Sequence, residues 1–322
     1  MMEIYGTLGP ACAQGAILEQ MFRCGMTGLR LNLSHTSLEE SAPLLEQMRL
    51  AAERCGVRPQ LLIDLQGPEL RVGKQGLPLL LEEGVRLPLR RLALPEHLYA
   101  ALQPETELLL DDGRLCVRVL PAGEGLVLRG GTLAPGKSVA VPGLCAALPA
   151  LTAADRKNLS LASAFGVTGV MQSFVRSRED VEEVRTALCG TGLRHFAKLE
   201  NRAGLDSLEQ WIGLPDVLVI ARGDLGNAVP LWELPGVQKQ VAALARQAGK
   251  PFLVVTQFLA SMERTAVPTR AEVSDIFNAV LDGASALMLT GETAAGRYPA
   301  EAMDYFCRTI RAAEAFLREE RS

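Results

Sequence analysis

Short apolar runs alternate with amphipathic stretches along most of the chain. Eight runs read as buried strands: Ile4–Leu8, Gly28–Leu33, Gln60–Leu65, Thr168–Ser173, His195–Leu199, Val217–Ala221, Phe252–Thr256 and Ala286–Thr290. Between them, apolar residues recur at helical spacing over Ala16–Cys24, Leu38–Cys55, Arg178–Leu188 and Val237–Ala248, and a last helical stretch spans Glu301–Glu320. Gly249-Lys-Pro251 is a helix stop leading straight into a strand. Eight strands, most of them separated by helices, predict an α/β fold, a (β/α)₈ TIM barrel.

One connection breaks the rhythm. After the third strand the sequence has short β-like runs at Leu79–Leu81, Arg86–Leu89, Glu107–Leu110, Leu115–Leu120 and Gly125–Leu128, broken by Gly, Pro and an Asp-Asp-Gly turn. This predicts a small all-β domain, residues 74–141, inserted into a barrel made of residues 1–73 and 142–322. The remaining 254 positions match the roughly 250 that a barrel needs.

Composition narrows the partners. The net charge is −4, and 48% of residues are hydrophobic against 22% charged. With no basic stripe and few aromatics, nucleic acid is not an expected partner. No apolar run approaches the ~18 residues of a membrane helix, so no membrane association is expected. Seven scattered cysteines without metal-ligand spacing, and an N-terminus without the basic and apolar regions of a signal peptide, point to a cytoplasmic setting.

Candidate chemistry gathers at strand ends. Lys198 and Glu200 are two apart on a strand and so face the same side; Asp224 follows the run Val217–Ala221. Two carboxylates suit a hard divalent cation, and a lysine suits a transferring phosphoryl group or an enolate. A salt bridge at a strand end would use the same residues.

Ordered motifs then give a resemblance over essentially the whole chain. They are Gly6-Thr-Leu-Gly-Pro10, Leu29-Arg-Leu-Asn-Leu-Ser-His35, Asp64-Leu-Gln-Gly-Pro-Glu-Leu-Arg71, Leu110-Asp-Asp-Gly113, Lys198-Leu-Glu-Asn201, Ala221-Arg-Gly-Asp-Leu-Gly226, Val255-Thr-Gln257, and Pro268-Thr-Arg-Ala-Glu272 running to Gly291-Glu-Thr293. Together they resemble the pyruvate kinase family. The resemblance implies phosphoryl transfer from phosphoenolpyruvate to ADP, giving pyruvate and ATP.

It also implies roles. Glu200 and Asp224 would hold Mg²⁺ or Mn²⁺; Lys198, Arg30 and Thr256 would be catalytic; and Arg30, Ala221, Arg222, Gly223, Asp224 and Thr256 would bind substrate, with backbone N–H groups of the Ala221–Gly223 turn facing its carboxylate. Asn32, Ser34, Asp64 and the Leu65 carbonyl would bind K⁺, and Glu69 stands where potassium-dependent members carry glutamate. Pro10, Asn32, His35, Arg71 and Lys137 would contact the nucleotide. A homo-oligomer built through the barrel is expected. The insert is shorter than the family's usual lid, and the resemblance does not extend to the C-terminal effector domain of many members, so effector control through it is not implied. Two other classes would use part of this site: a metal-dependent lyase or aldolase acting on pyruvate or a related oxo acid, and a non-catalytic metabolite-binding protein. An ADP site built on His35, Arg71 and Lys137 separates the kinase from the lyase.

Overall fold

The computed structural model describes residues 2–34, 36–73, 75–111, 113–141 and 148–320. Eight parallel strands close a barrel: β1 (Glu3–Thr7), β2 (Gly28–Asn32), β3 (Gln60–Asp64), then, after the insert, β11 (Gly169–Gln172), β12 (Arg194–Leu199), β13 (Val217–Ala221), β14 (Phe252–Val255) and β15 (Ala286–Met288). Each neighbours the next, and β1 pairs with both β15 and β2. The predicted (β/α)₈ barrel is therefore present. The residues expected to end several strands, Leu8, Leu33, Leu65, Ser173 and Thr256, lie just past them, in the loops at the C-terminal rim.

Strand alternation splits the core into two layers. Tyr5, Leu62, Met171, Phe196, Val219, Leu253 and Met288 fill the lumen, while the other faces of the same strands pack under the helices. The helices largely follow the predicted spans, with two shifts. The second begins at Ala42 rather than Leu38, because Ser37 and Glu40 hydrogen-bond each other in a turn and Pro43 sits at the start of the helix. The helix predicted from Val237 begins at Leu234, with Pro235 in its first turn.

Between β3 and β11 the described residues form seven strands outside the barrel: β4 (Leu79–Leu81), β5 (Arg86–Pro88), β6 (Glu107–Leu110), β7 (Leu115–Val119), β8 (Glu124–Arg129), β9 (Gly131–Leu133) and β10 (Val139–Ala140). They form a five-stranded antiparallel sheet, ordered β10-β6-β7-β8-β5, and a two-stranded sheet, β4-β9. Leu81, Leu87, Leu108, Val117 and Val127 belong to a core separate from the barrel's. The insert is not purely β, since Glu96–Tyr99 forms one helical turn. Its two connections to the barrel run side by side: Val72 N–H donates to Lys137 O at 2.9 Å, and Val139 N–H to Leu70 O at 2.8 Å. Val72 already packs into the insert's core.

Among the described residues, no helix is long and apolar enough to cross a membrane. Cys12, Cys24, Cys55, Cys116, Cys189 and Cys307 are free thiols.

His195, at the start of β12, is buried, and Gln172 Oε1 lies 2.8 Å from its Nε2. The Gln172 amide nitrogen is committed to Asp180 O at 2.8 Å, so Oε1 faces the ring and Nε2 must carry the proton. Burial holds this neutral imidazole down at about 4. The unfolded chain titrates near ~6.5, so between about 6.5 and 4 the unfolded state binds more protons and stability falls as pH falls. Between pH 7 and pH 5 the wild type should lose about 2 kcal/mol more unfolding free energy than His195→Gln. Urea titrations at the two pH values measure this, and equal losses would show that the histidine is not held neutral.

Candidate functional site

Three lumen columns are polar where they reach the rim: Leu62 gives way to Asp64 on β3, Phe196 to Lys198 on β12 and then to Glu200 just past it, and Arg30 and Asn32 follow Gly28 on β2. Period-two alternation makes these residues neighbours above the lumen core. Lys198 Nζ lies 2.9 Å from Asp64 Oδ1 and 3.0 Å from Glu200 Oε1. Arg30 closes on the other Asp64 oxygen, with Nη2 at 2.6 Å and Nε at 2.7 Å. Strand β11 lies between β3 and β12, and past its end Ser173 Oγ donates to Asp64 Oδ1 at 3.1 Å or Leu65 O at 2.6 Å. The Phe174 N–H donates to Glu200 Oε2 at 2.7 Å. Ser173 and Phe174 were not singled out in the sequence; their only signal is position, at the exit of the strand between Asp64 and Lys198.

The electrostatics follow from this packing. Burial alone would pull the Lys198 ammonium down, but Asp64 and Glu200 beside it push it above the usual lysine range. Burial likewise opposes ionised Asp64, yet Lys198 and Arg30 hold its carboxyl below the usual range. Lys198 is therefore a fixed cation. Glu69 is raised by burial, although its Oε2 meets Arg71 Nε at 2.8 Å.

A cavity of about 410 Å³ opens between the rim and the insert. Glu69, Glu200 and Asp224 line it from the barrel side, and Leu109, Val139 and Val141 from the insert. Glu200 and Asp224 thus face one space, and their hard oxygen donors fit a divalent cation. Among the described residues no group of three His, Cys, Asp or Glu side chains completes such a site, so a cation there would take further ligands from substrate and water. The expected potassium residues also adjoin one another: Asn32 pairs with Asp64 across β2 and β3, and Leu33 N–H donates to Asp64 O at 2.9 Å. Asn32 Oδ1 accepts the Ser34 N–H at 3.1 Å. All four candidate ligands are oxygens, as a hard monovalent ion requires.

Asp224 lies in the helix Arg222–Ala228, which begins directly at the end of β13. The expected substrate contact at Arg222 is through its backbone N–H; its side chain is engaged elsewhere. It is not among the residues lining the cavity. Its Nη2 and Nε donate to Thr256 O at 2.7 and 3.2 Å, Nη1 meets Asp275 Oδ1 at 2.8 Å, and the guanidinium lies 4.2 Å from the Phe258 ring centroid. Thr256 needs that hold. Its φ is +87°, strained for a β-branched residue. Gly223 leaves room for it, since a Cβ at that position would meet Thr256 Cγ2 at 3.1 Å.

The nucleotide candidates are more spread out. Pro10 opens a short 3₁₀ turn after β1. Arg71 and Lys137 lie on the paired connections to the insert. Arg71 Nη1 donates to Gly136 O at 2.8 Å, and Lys137 Nζ is 2.7 Å from Asp111 Oδ1. His35 lies outside the described residues.

Comparison with known proteins identifies the family. A family model described as pyruvate kinase, barrel domain, matches residues 1–88 and 92–303. A pyruvate kinase of Methylorubrum extorquens is 39% identical over 94% of this chain and 66% of that protein. The similarity is 39% to one from Aeropyrum pernix, over 95% and 69%, and 38% to one from Mycobacterium tuberculosis, over 97% and 70%. The chain therefore spans about two thirds of the length of these relatives.

Lys198→Met would leave Asp64 and Glu200 buried without their shared cation. We expect a loss of about 3 kcal/mol of unfolding free energy, read by urea denaturation. A loss within about 0.5 kcal/mol would mean that the three groups are not coupled.

Proposed function

The chain belongs to the pyruvate kinase family, and from that premise we propose that it transfers the phosphoryl group of phosphoenolpyruvate to ADP and releases pyruvate. The observation that carries the reading is the paired cations Lys198 and Arg30 on Asp64, beside the Glu200 and Asp224 carboxylates that face one cavity. Phosphoryl transfer is mainly positioning and charge neutralisation. Lys198, locked in its charged form, suits stabilisation of the transferring group and is unsuited to act as a base. Arg30 adds a second cation from β2, the strand next to Asp64's β3. Mg²⁺ or Mn²⁺ held by Glu200 and Asp224 would supply Lewis-acid neutralisation of phosphoryl charge. K⁺ would sit among Asn32, Ser34, Asp64 and the Leu65 carbonyl.

On the opposite rim, Arg222 fixes the Thr256 carbonyl and so the placement of the Thr256 hydroxyl near the enolate. The backbone of Ala221, Arg222 and Gly223 serves the substrate carboxylate, while the Arg222 side chain serves Thr256. The insert's apolar edge faces the carboxylates across the cavity, and its closure over substrate would exclude water there. Pro10, Asn32, Arg71 and Lys137, with His35, form the nucleotide side of the reading. The lyase and binding-protein alternatives are not favoured by the family match. The reading carries with it a cytoplasmic setting, supported by the free thiols, and an oligomer through the barrel, supported by exposed apolar side chains such as Leu231 and Trp232.

A lactate-dehydrogenase-coupled assay with phosphoenolpyruvate, ADP, Mg²⁺ and K⁺ should show pyruvate formation, with kcat falling about 10²- to 10³-fold in Lys198→Met. No turnover in the wild type would overturn the proposal. For the metal ligands, Asp224→Asn and Glu200→Gln should each weaken Mn²⁺ binding roughly tenfold, followed by electron paramagnetic resonance of the free ion without substrate. Unaltered Mn²⁺ affinity in both would remove these residues from the metal site.

A further inference from the structure

Asp111 follows β6 and opens the turn into β7. Its backbone is left-handed, with φ +50°. Its N–H donates to Ser138 O, and its own carbonyl accepts the Arg114 N–H, both at 3.1 Å. Its carboxylate sits between two cations: Lys137 Nζ is 2.7 Å from Oδ1, and an Arg114 guanidinium nitrogen is 3.7 Å from Oδ2. Oδ1 is buried and accepts no aligned hydrogen bond among the described residues, so Lys137 is held there by charge rather than by a directed bond. The lysine side chain is itself 40% exposed.

This pair stands where the insert meets the barrel rim. A Cβ on Gly113, two residues beyond Asp111, would come within 2.6 Å of Asn227 Oδ1. Asn227 is one helical turn from Asp224 and lines the same cavity. Lys137 is anchored by its backbone, because its carbonyl accepts the Val72 N–H. Only its side chain is free to change partners.

We propose that Asp111 is a positioning residue that serves as a stand-in anion. It holds Lys137 at the edge of the insert in the absence of nucleotide and yields it to the diphosphate of a nucleoside diphosphate. The exchange replaces one carboxylate with a more highly charged group, and a lysine pair this exposed is worth only a factor of about two to five in an equilibrium. Asp111 therefore weakens nucleotide binding by that factor while keeping the lysine extended towards the site. The inference rests on reading Lys137 as a nucleotide contact.

The test is ADP binding by calorimetry, with steady-state kinetics, for wild type, Asp111→Asn, Lys137→Met and the double variant. Asparagine tolerates the left-handed backbone, as does the second variant Asp111→Gly should the first not fold. Asp111→Asn should tighten ADP binding about two- to fivefold and lower the KM for ADP, but not that for phosphoenolpyruvate, by a similar factor. The effect should vanish in the Lys137→Met background. Unchanged or weaker ADP binding in Asp111→Asn would overturn the inference. If Lys137→Met itself leaves ADP affinity unaltered while wild type turns over, the nucleotide role of Lys137 fails and the inference with it, but the proposed reaction stands.

Discussion

The structure depends on one buried ion pair, Lys198 with Asp64. Each charge would cost several kcal/mol to bury alone. Together, with Arg30 on the far oxygen of Asp64 and Glu200 on the near side of Lys198, they form a set of two cations and two anions in contact. Ser173 and the Phe174 N–H take up further acceptor capacity on the carboxylates. Such a cluster is a poor choice for stability, since apolar residues of similar volume would serve a barrel top at least as well. Its merit is a cation fixed in its charged form beside Glu200, which lines the cavity.

A second constraint acts across the rim. Thr256 occupies a backbone conformation that a β-branched residue adopts only under compulsion, and Arg222 supplies the compulsion through two donors on its carbonyl. The arginine is itself held by Asp275 and by the face of Phe258. Strain held this way belongs to sites where geometry is worth more than stability. The insert adds the third element, since its hinge strands bring Arg71 and Lys137 towards the same cavity that Glu200 and Asp224 face.

Much of this was legible in the sequence, and the reason is periodicity. Strands buried on both faces read as continuous apolar runs, and two-residue spacing placed Lys198 and Glu200 on one side, where the lumen column of Phe196 carries them. The barrel and the β-rich insert followed from the same signal. What was not legible depends on contacts between distant segments. The guanidinium of Arg222 could have faced the cavity or the neighbouring strand, and only packing against Phe258 decides. Ser173 carries no pattern of its own and acquires its role from β11 lying between β3 and β12. The pairing of Lys137 with Asp111 depends on the register of β10 against β6. The early start predicted for the second helix failed because local Ser and Glu side chains offer the backbone an alternative to helix.

The central claim is that Lys198 is a permanently charged group anchored by Asp64 and Glu200. The chain has only six lysines, so ¹⁵N-labelled side-chain resonances can be followed individually by NMR during a pH titration of the folded protein. The account predicts that the Lys198 nitrogen still reports an ammonium at pH values well above an ordinary lysine pKa of about 10.4. Titration of Lys198 at or below that ordinary value would contradict it.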